Sequence, residues 1–193
     1  MKHRRVFLGM PLFFKENRSS KFFKVFYIMS NFYAVLEKVF LANADKPSLF
    51  IARNTWTYQD LLNKVNGLAY VLTQNGVIKG DRLVVQVEKS AENLALYLAS
   101  LRIGAVYVPL NTAYTDRELD YFLEDSDPAL FVGNYPRYDL PSLTLDQNGN
   151  GTLTEDLGDA VDLPAAVDLE ASDLAAILYT SGTTGRSKGA MLT

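Results

Sequence analysis

A short run of glycine, serine and threonine residues that leads to a lysine is the part of this sequence best suited to chemistry. Residues 180–189 read Thr-Ser-Gly-Thr-Thr-Gly-Arg-Ser-Lys-Gly. Glycines let backbone N–H groups approach an anion closely and turn toward it. The hydroxyl groups between Thr180 and Thr184 add donors, and Lys188 adds a positive charge. The run therefore predicts a loop that binds the oxygens of a polyphosphate.

Two common nucleotide-binding motifs do not fit this loop. A Walker loop has a second glycine after four intervening residues and then opens a helix. Here that position holds Ser187, and the segment after Lys188 is apolar and strand-like. The spacing also differs from Gly-x-Gly-x-x-Gly. These differences argue against a P-loop NTPase, a kinase and a dinucleotide fold. A turn without a ligand stays open, because this composition is common in turns, but the lysine between two strands favours phosphate binding.

The elements that must position the loop are two apolar segments on either side of it. Residues 174–179 and 189–192 predict two buried strands. Upstream of them, residues 134–172 are rich in Asp, Gly, Asn and Pro. They predict a long irregular connection that crosses from one part of a sheet to another.

The sequence from residue 31 onward begins with a helix and a short strand. Asp45-Lys46-Pro47 predicts the end of the helix. Residues 49–52 predict the strand, and Asn54 predicts a turn after it. The predicted apolar face of the helix consists of Phe32, Val35, Leu36, Val39 and Phe40.

Helices and strands are then predicted to alternate. Thr57 predicts the N-cap of a helix, Gly104 predicts the end of another, and Thr115 with Glu118 predicts a capping box. Alternation of this kind predicts an α/β fold with a mostly parallel sheet and packed helices. The strands in this part are predicted over residues 83–87, 105–110 and 129–132.

Composition excludes several classes of site. The 193 residues include no cysteine and one histidine, so neither a disulfide scaffold nor a thiolate or histidine metal site is expected. Residues 1–28 carry a net charge of +6, which leaves −9 on the rest of a chain whose net charge is −3. An acidic body gives no reason to expect nucleic-acid binding. No apolar run is long enough to span a membrane, and we expect a cytoplasmic protein.

The basic, aromatic leader over residues 1–28 matches no targeting pattern well. Its apolar run is interrupted by Gly9 and Pro11 and has no small-residue cleavage site. We favour the interpretation that Met29 is the true start and that the leader is disordered or not part of the protein, over a targeting or membrane-surface segment. The domain proper is then predicted over residues 29–193.

The loop and two upstream segments together resemble the adenylate-forming, or AMP-binding, superfamily. Residues 177–191 are similar to its signature loop, with Ser187 where the family usually has proline. Trp56-Thr-Tyr-Gln-Asp-Leu61 resembles its early helix start, and residues 101–111 resemble its Gly-Ala-x-x-Val-Pro-Leu strand. The resemblance covers essentially residues 30–193 and implies the N-terminal part of the large domain, truncated just after the loop.

The resemblance implies a two-step reaction of an acyl-CoA synthetase. ATP converts a carboxylate to an acyl-adenylate, and coenzyme A then displaces AMP. The loop would bind the β and γ phosphates, with Mg²⁺ bound mainly through ATP oxygens. Neither catalytic nor metal-binding residues are expected within this chain, which we therefore expect to be inactive alone. The residues implied to contact ATP are Thr180, Ser181, Gly182, Thr183, Thr184, Gly185 and Lys188.

The substrate carboxylate stays open between several classes. Residues 108–123 look most like those of malonyl-CoA synthetases and their fatty-acyl relatives. A fatty-acid–CoA ligase and a peptide-synthetase adenylation domain are alternatives within the superfamily. A non-catalytic remnant is the alternative from another class, and titration with ATP separates it from the others.

Overall fold

The structure is a computed structural model that describes residues 31–51, 54–137, 139–155, 157, 163–180 and 187–193. The leader predicted over residues 1–28 lies outside the described residues, as does Ala52 at the end of the first predicted strand.

The first helix, α1 (Phe32–Ala42), forms where the apolar spacing predicts it and turns part of its predicted apolar face to the core. Tyr33 is fully buried, and Leu36 and Phe40 pack against the core. Leu36 and Phe40 belong to the predicted face, whereas Tyr33 was left out because tyrosine was not counted as apolar. Two other members of the predicted face are exposed: Phe32 at 58% and Val39 at 50%.

A two-stranded antiparallel hairpin follows α1. It consists of β1 (Pro47–Ile51) and β2 (Asn54–Thr57). The predicted turn at Asn54 is wrong, because Asn54 is the first residue of β2 and pairs with Ile51. The strand was missed because only one of its four side chains, Trp56, is buried, so the sequence shows no alternation there.

Three further helices follow among the described residues, and two of them begin at the predicted capping residues Thr57 and Thr115. They are α2 (Tyr58–Gln74), α3 (Ala91–Ile103) and α4 (Asp116–Ser126). Thr57 and Thr115 each cap a helix in a full capping box, and the Ser90 side chain caps α3. Gly104 ends α3 in a left-handed conformation with φ of 74°, as its glycine predicts.

The main sheet has six strands in the order β6-β5-β3-β4-β7-β8. Neighbouring strands are parallel from β6 to β7, and only β7 and β8 are antiparallel. The prediction of a mostly parallel sheet is therefore confirmed. The strands are β3 (Arg82–Gln86), β4 (Val106–Pro109), β5 (Leu130–Gly133), β6 (Ser142–Thr144), β7 (Ala176–Thr180) and β8 (Lys188–Leu192).

Helices cover both faces of the central strands. Alternate residues of β3 face opposite ways, because side chains along a strand alternate between the two faces of the sheet. Leu83 and Val85 share one core with α2 and α3, whereas Val84 shares a second core with Phe122 of α4. The helix that follows β4 thus packs on the face opposite to the helix that follows β3.

Two predictions about the region after β5 need correction. The connection over residues 134–172 is irregular for much of its described length, but β6 lies within it and extends the sheet by pairing with β5. The strand after the loop, residues 189–192, was predicted to be buried. This prediction is wrong, because every residue of β8 is exposed. The reason is that β8 pairs only with β7, and no described helix covers it.

The capping box at Thr57 gives a direct test of how α2 begins. The Thr57 side chain accepts a hydrogen bond from the Asp60 N–H at 3.1 Å. Replacing Thr57 with alanine is expected to lower the free energy of unfolding by about 1 kcal/mol, because that N–H loses its partner. Thr57→Ser keeps the hydroxyl and should stay within about 0.5 kcal/mol of the wild type by urea denaturation. Equal losses in both variants would show that the cap contributes nothing.

Candidate functional site

The predicted polyphosphate loop connects β7 to β8 at the carboxyl end of the parallel sheet. Because β7 runs parallel to β4, its last residue, Thr180, lies at the same edge as the end of β4. β8 returns antiparallel, so its first residue, Lys188, lies at that edge as well. In open α/β sheets this edge is where ligands bind.

The structure brings two of the predicted site residues together. Thr180 pairs with Lys188 in the hairpin register, and both side chains are exposed. Lys188 makes no hydrogen bond or ion pair within the described part of the chain, so its ammonium group is available to an anion. The other predicted site residues lie outside the described residues: Ser181, Gly182, Thr183, Thr184 and Gly185.

The glycine after the lysine has a packing role in the hairpin. A Cβ atom at Gly189 would lie 2.7 Å from Cγ2 of Ile177. Real Cβ atoms do not approach neighbours that closely, so a larger residue would force either the Ile177 side chain or β8 to shift. Gly189 therefore keeps the two strands close, which supports the position of Lys188 one residue earlier.

Aromatic side chains pack beneath the hairpin on the face covered by α4. The ring of Tyr179, the residue before Thr180, lies 4.6 Å from the ring of Phe122, measured between centroids. Phe122 also contacts Tyr114 and Tyr121, with centroid distances of 4.8 and 5.3 Å. This aromatic cluster joins β7 to α4 and fixes the strand from which the loop departs.

Two hydrogen bonds connect α4 to residues that flank the loop. The Tyr179 hydroxyl donates to Oδ2 of Asp125 at 2.6 Å, and the Tyr121 hydroxyl donates to the backbone carbonyl of Ser187 at 2.9 Å. Burial and the neighbouring Asp125 carboxylate raise the pKa of Tyr179 above its ordinary value. The phenol therefore stays protonated at neutral pH and acts as a donor.

Sequence reasoning did not identify these supports from α4. No role was predicted for Tyr121 or Asp125. Their spacing of four residues does place them on one side of a helix. Nothing in the sequence, however, indicates that this side faces the strands around the loop, because that depends on the order of strands in the sheet.

Neither a metal cluster nor a membrane span is found in the described ranges. No group of three or more His, Cys, Asp or Glu side chains is arranged to hold a metal ion among the residues that the structure describes. Among the same residues, no helix is both long enough and apolar enough to cross a membrane.

Comparison with protein-family models identifies one family for most of the chain. The model described as AMP-binding enzyme matches residues 36–193. That range includes the later part of α1, the whole six-stranded sheet and the loop between β7 and β8. The three segments on which the sequence resemblance depended all lie within it.

Solved structures and curated relatives agree with this family. Apo MatB from Rhodopseudomonas palustris is 41% identical with a TM-score of 0.76, and the match covers 85% of this chain and 34% of MatB. ATP-bound MatB from the same organism is 42% identical with a TM-score of 0.73, over 85% of this chain and 35% of that one.

The long-chain-fatty-acid–CoA ligase FadD13 of Mycobacterium tuberculosis (strain H37Rv) is 33% identical over 147 residues, 71% of this chain and 29% of FadD13. Surfactin synthase subunit 2 of Bacillus subtilis is 30% identical over 174 residues, 82% of this chain and 4% of that protein.

The matches define which part of the family architecture is present. The chain spans about a third of the length of MatB and smaller shares of the curated relatives above. The chain belongs to the AMP-binding, adenylate-forming enzyme family and corresponds to the N-terminal part of the family's large domain.

Proposed function

We propose that residues 180–188 bind the β and γ phosphates of ATP. The observation that carries the proposal is the pairing of Thr180 with Lys188 at the carboxyl edge of the sheet, on either side of a loop rich in glycine and hydroxyl groups. The similarity to a MatB structure with bound ATP supports the choice of ligand. In this proposal Thr180, Ser181, Thr183 and Thr184 donate hydroxyl groups, and Gly182 and Gly185 expose backbone N–H groups. Lys188 supplies the charge.

The whole protein is proposed to be an acid–thiol ligase. A carboxylate oxygen attacks the α-phosphorus of ATP, the bond from that phosphorus to the bridging oxygen breaks, and pyrophosphate leaves. Negative charge builds on the leaving group, and the donors of the loop stabilise it there. The sulfur of coenzyme A then attacks the acyl carbon and displaces AMP. Mg²⁺ would be held mainly by ATP oxygens, since this cation prefers phosphate and water ligands.

Malonate is the substrate that we propose for the whole protein. Residues 108–123, from β4 to α4, look most like those of malonyl-CoA synthetases. Identity to MatB, at 41%, exceeds the 33% identity to FadD13 and the 30% identity to surfactin synthase subunit 2. A fatty acid and an amino acid are the competing substrates. Malonate-dependent release of pyrophosphate by the whole protein, without release by palmitate or amino acids, tests this assignment.

Calorimetric titration of this chain tests the proposed binding site. ATP with Mg²⁺ and pyrophosphate with Mg²⁺ should both bind, whereas AMP should neither bind comparably nor compete, because it lacks the β and γ phosphates. Absence of heat at millimolar ATP, with the chain folded by circular dichroism, would overturn the proposal and favour a non-catalytic remnant.

The chain by itself is expected to bind ATP without adenylating a carboxylate. It spans about a third of MatB, and the substrate pocket and remaining catalytic groups are not among its predicted site residues. ATP–pyrophosphate exchange should therefore stay at background with malonate, palmitate or amino acids. Exchange above background with any of them would contradict this expectation.

A further inference from the structure

Helix α4 makes a hydrogen bond to Tyr179, just before the polyphosphate loop, and another to Ser187, near the end of the loop. We propose that α4 is the positioning element of this loop: Tyr121 and Asp125 hold its two flanks in the arrangement that binds phosphate, and so set the affinity for ATP. The inference rests on the proposed function, because it assigns a role to residues that do not themselves touch the ligand.

The contact at the first flank is the hydrogen bond from Tyr179 to Asp125. Tyr179 directly precedes Thr180, and its ring also packs on Phe122. The ring is thus packed against Phe122 in a tilted arrangement and held at its hydroxyl by Asp125. This double contact fixes the end of β7, from which the loop departs.

The contact at the second flank is the hydrogen bond from the Tyr121 hydroxyl to the Ser187 carbonyl. Ser187 directly precedes Lys188, and serine leaves its backbone φ free where proline would fix it. The hydrogen bond therefore restricts the backbone of Ser187, which the serine side chain leaves free. It acts next to the lysine whose charge the ligand needs.

The two contacts act together because one helical face makes both. Tyr121 and Asp125 are four residues apart in α4, which places them on the same side of the helix. Ordering a loop around a ligand costs conformational entropy, and contacts that order its ends beforehand reduce that cost. Loss of either contact should therefore weaken ATP binding even though neither side chain contacts ATP.

The direction in which Asp125→Ala changes the affinity for ATP distinguishes a positioning role from a purely electrostatic one. The Asp125 carboxylate lies at the flank of a proposed polyphosphate site, and removing a negative charge there would by itself tighten binding of an anion. Positioning predicts the opposite for Asp125→Ala, because the Tyr179 hydroxyl loses its acceptor. Asp125→Asn keeps an acceptor oxygen while removing the charge, and should therefore bind at least as tightly as the wild type.

The test compares ATP dissociation constants of five forms of the chain by calorimetry in the presence of Mg²⁺. Tyr121→Phe and Asp125→Ala are each expected to weaken binding about three- to tenfold, the effect of one lost hydrogen bond. Asp125→Asn and Tyr135→Phe should bind ATP at least as tightly as the wild type. Tyr135 is a matched control for loss of a hydroxyl, because its side chain is 82% exposed and makes no hydrogen bond within the described ranges. Amide hydrogen exchange without ligand should be faster over residues 180–188 in Tyr121→Phe and Asp125→Ala only.

The outcomes distinguish the positioning role from the proposed function. If the wild type binds ATP and both substitutions leave affinity and exchange unchanged, the positioning role is wrong and the proposed function stands. Tighter binding by Asp125→Ala would also overturn the positioning role, in favour of electrostatics. If the wild type does not bind ATP, the proposed function falls and the inference falls with it. Weaker binding by Tyr121→Phe and Asp125→Ala, together with retained binding by Asp125→Asn, supports the inference.

Discussion

Replacing Lys188 with alanine is expected to weaken binding of ATP to this chain about ten- to a hundredfold. A hydrogen bond to a charged group contributes about 1.5–3 kcal/mol, and each 1.4 kcal/mol is a tenfold change in affinity. Lys188 is exposed at the start of β8 and has no partner within the described ranges. The substitution should therefore remove ligand contacts without destabilising the fold, as calorimetry and thermal unfolding of the same sample would show.

Two matched variants make the Lys188 result specific. Lys188→Arg keeps the charge and should retain much of the affinity, whereas Lys38→Ala removes an exposed lysine from α1 and should change nothing. Comparable weakening by Lys38→Ala would indicate a nonspecific charge effect. Unchanged binding by Lys188→Ala would exclude this lysine as the cation of the loop.

The largest expected loss of stability follows from replacing Arg102 with alanine. Arg102 is 6% exposed, and its guanidinium donates to Oε1 of Glu37 at 2.6 Å and to the Pro164 carbonyl at 2.8 Å. It also lies over the ring of Tyr33, 5.5 Å from the ring centroid. Removing one partner of a fully buried ion pair typically costs about 3–5 kcal/mol, and because the Glu37 side chain is 25% exposed we expect the low end of this range, about 3 kcal/mol. Urea denaturation should show a loss of this size.

Two further variants show whether the loss comes from the unpaired charge. Arg117→Ala removes an exposed arginine of α4 and should change stability by less than about 0.5 kcal/mol. Arg102→Met combined with Glu37→Leu replaces both charges with apolar groups and should recover most of the stability, as buried ion pairs often permit. A double variant no more stable than Arg102→Ala would instead assign the loss to packing.

The parts of the fold that the sequence predicts are those determined by local residue pattern. Thr57 and Thr115 predict helix starts because an N-cap needs a short side-chain acceptor, and Gly104 predicts a helix end because few other residues adopt positive φ. The strand at β2 could not be predicted in this way, since it buries only Trp56. The orientation of α1 was predicted only in part, because its one fully buried side chain is an amphipathic tyrosine, Tyr33, while Leu36 and Phe40 of the predicted face do pack on the core.

In the candidate site, too, some residues could be chosen from the local sequence, whereas others are identified only by the tertiary fold. Thr180 and Lys188 were chosen from the types and spacing of neighbouring residues alone, and their binding of phosphate stays a prediction. The structure pairs the two residues across the hairpin. The support from Tyr121 and Asp125 could not be predicted, since these residues are more than fifty positions from Tyr179 and Ser187. It depends on α4 packing on the same face of the sheet as the hairpin, which no local pattern specifies.

The central claim is that this chain binds ATP through its β and γ phosphates, and phosphorus NMR tests it most directly. With Mg²⁺ present, addition of the chain should shift or broaden the β and γ resonances of ATP more than the α resonance. Lys188→Ala should reduce the effect at the same chain concentration. Unchanged β and γ resonances at chain concentrations well above those of the calorimetric titration, or a change confined to the α phosphate, would contradict the claim.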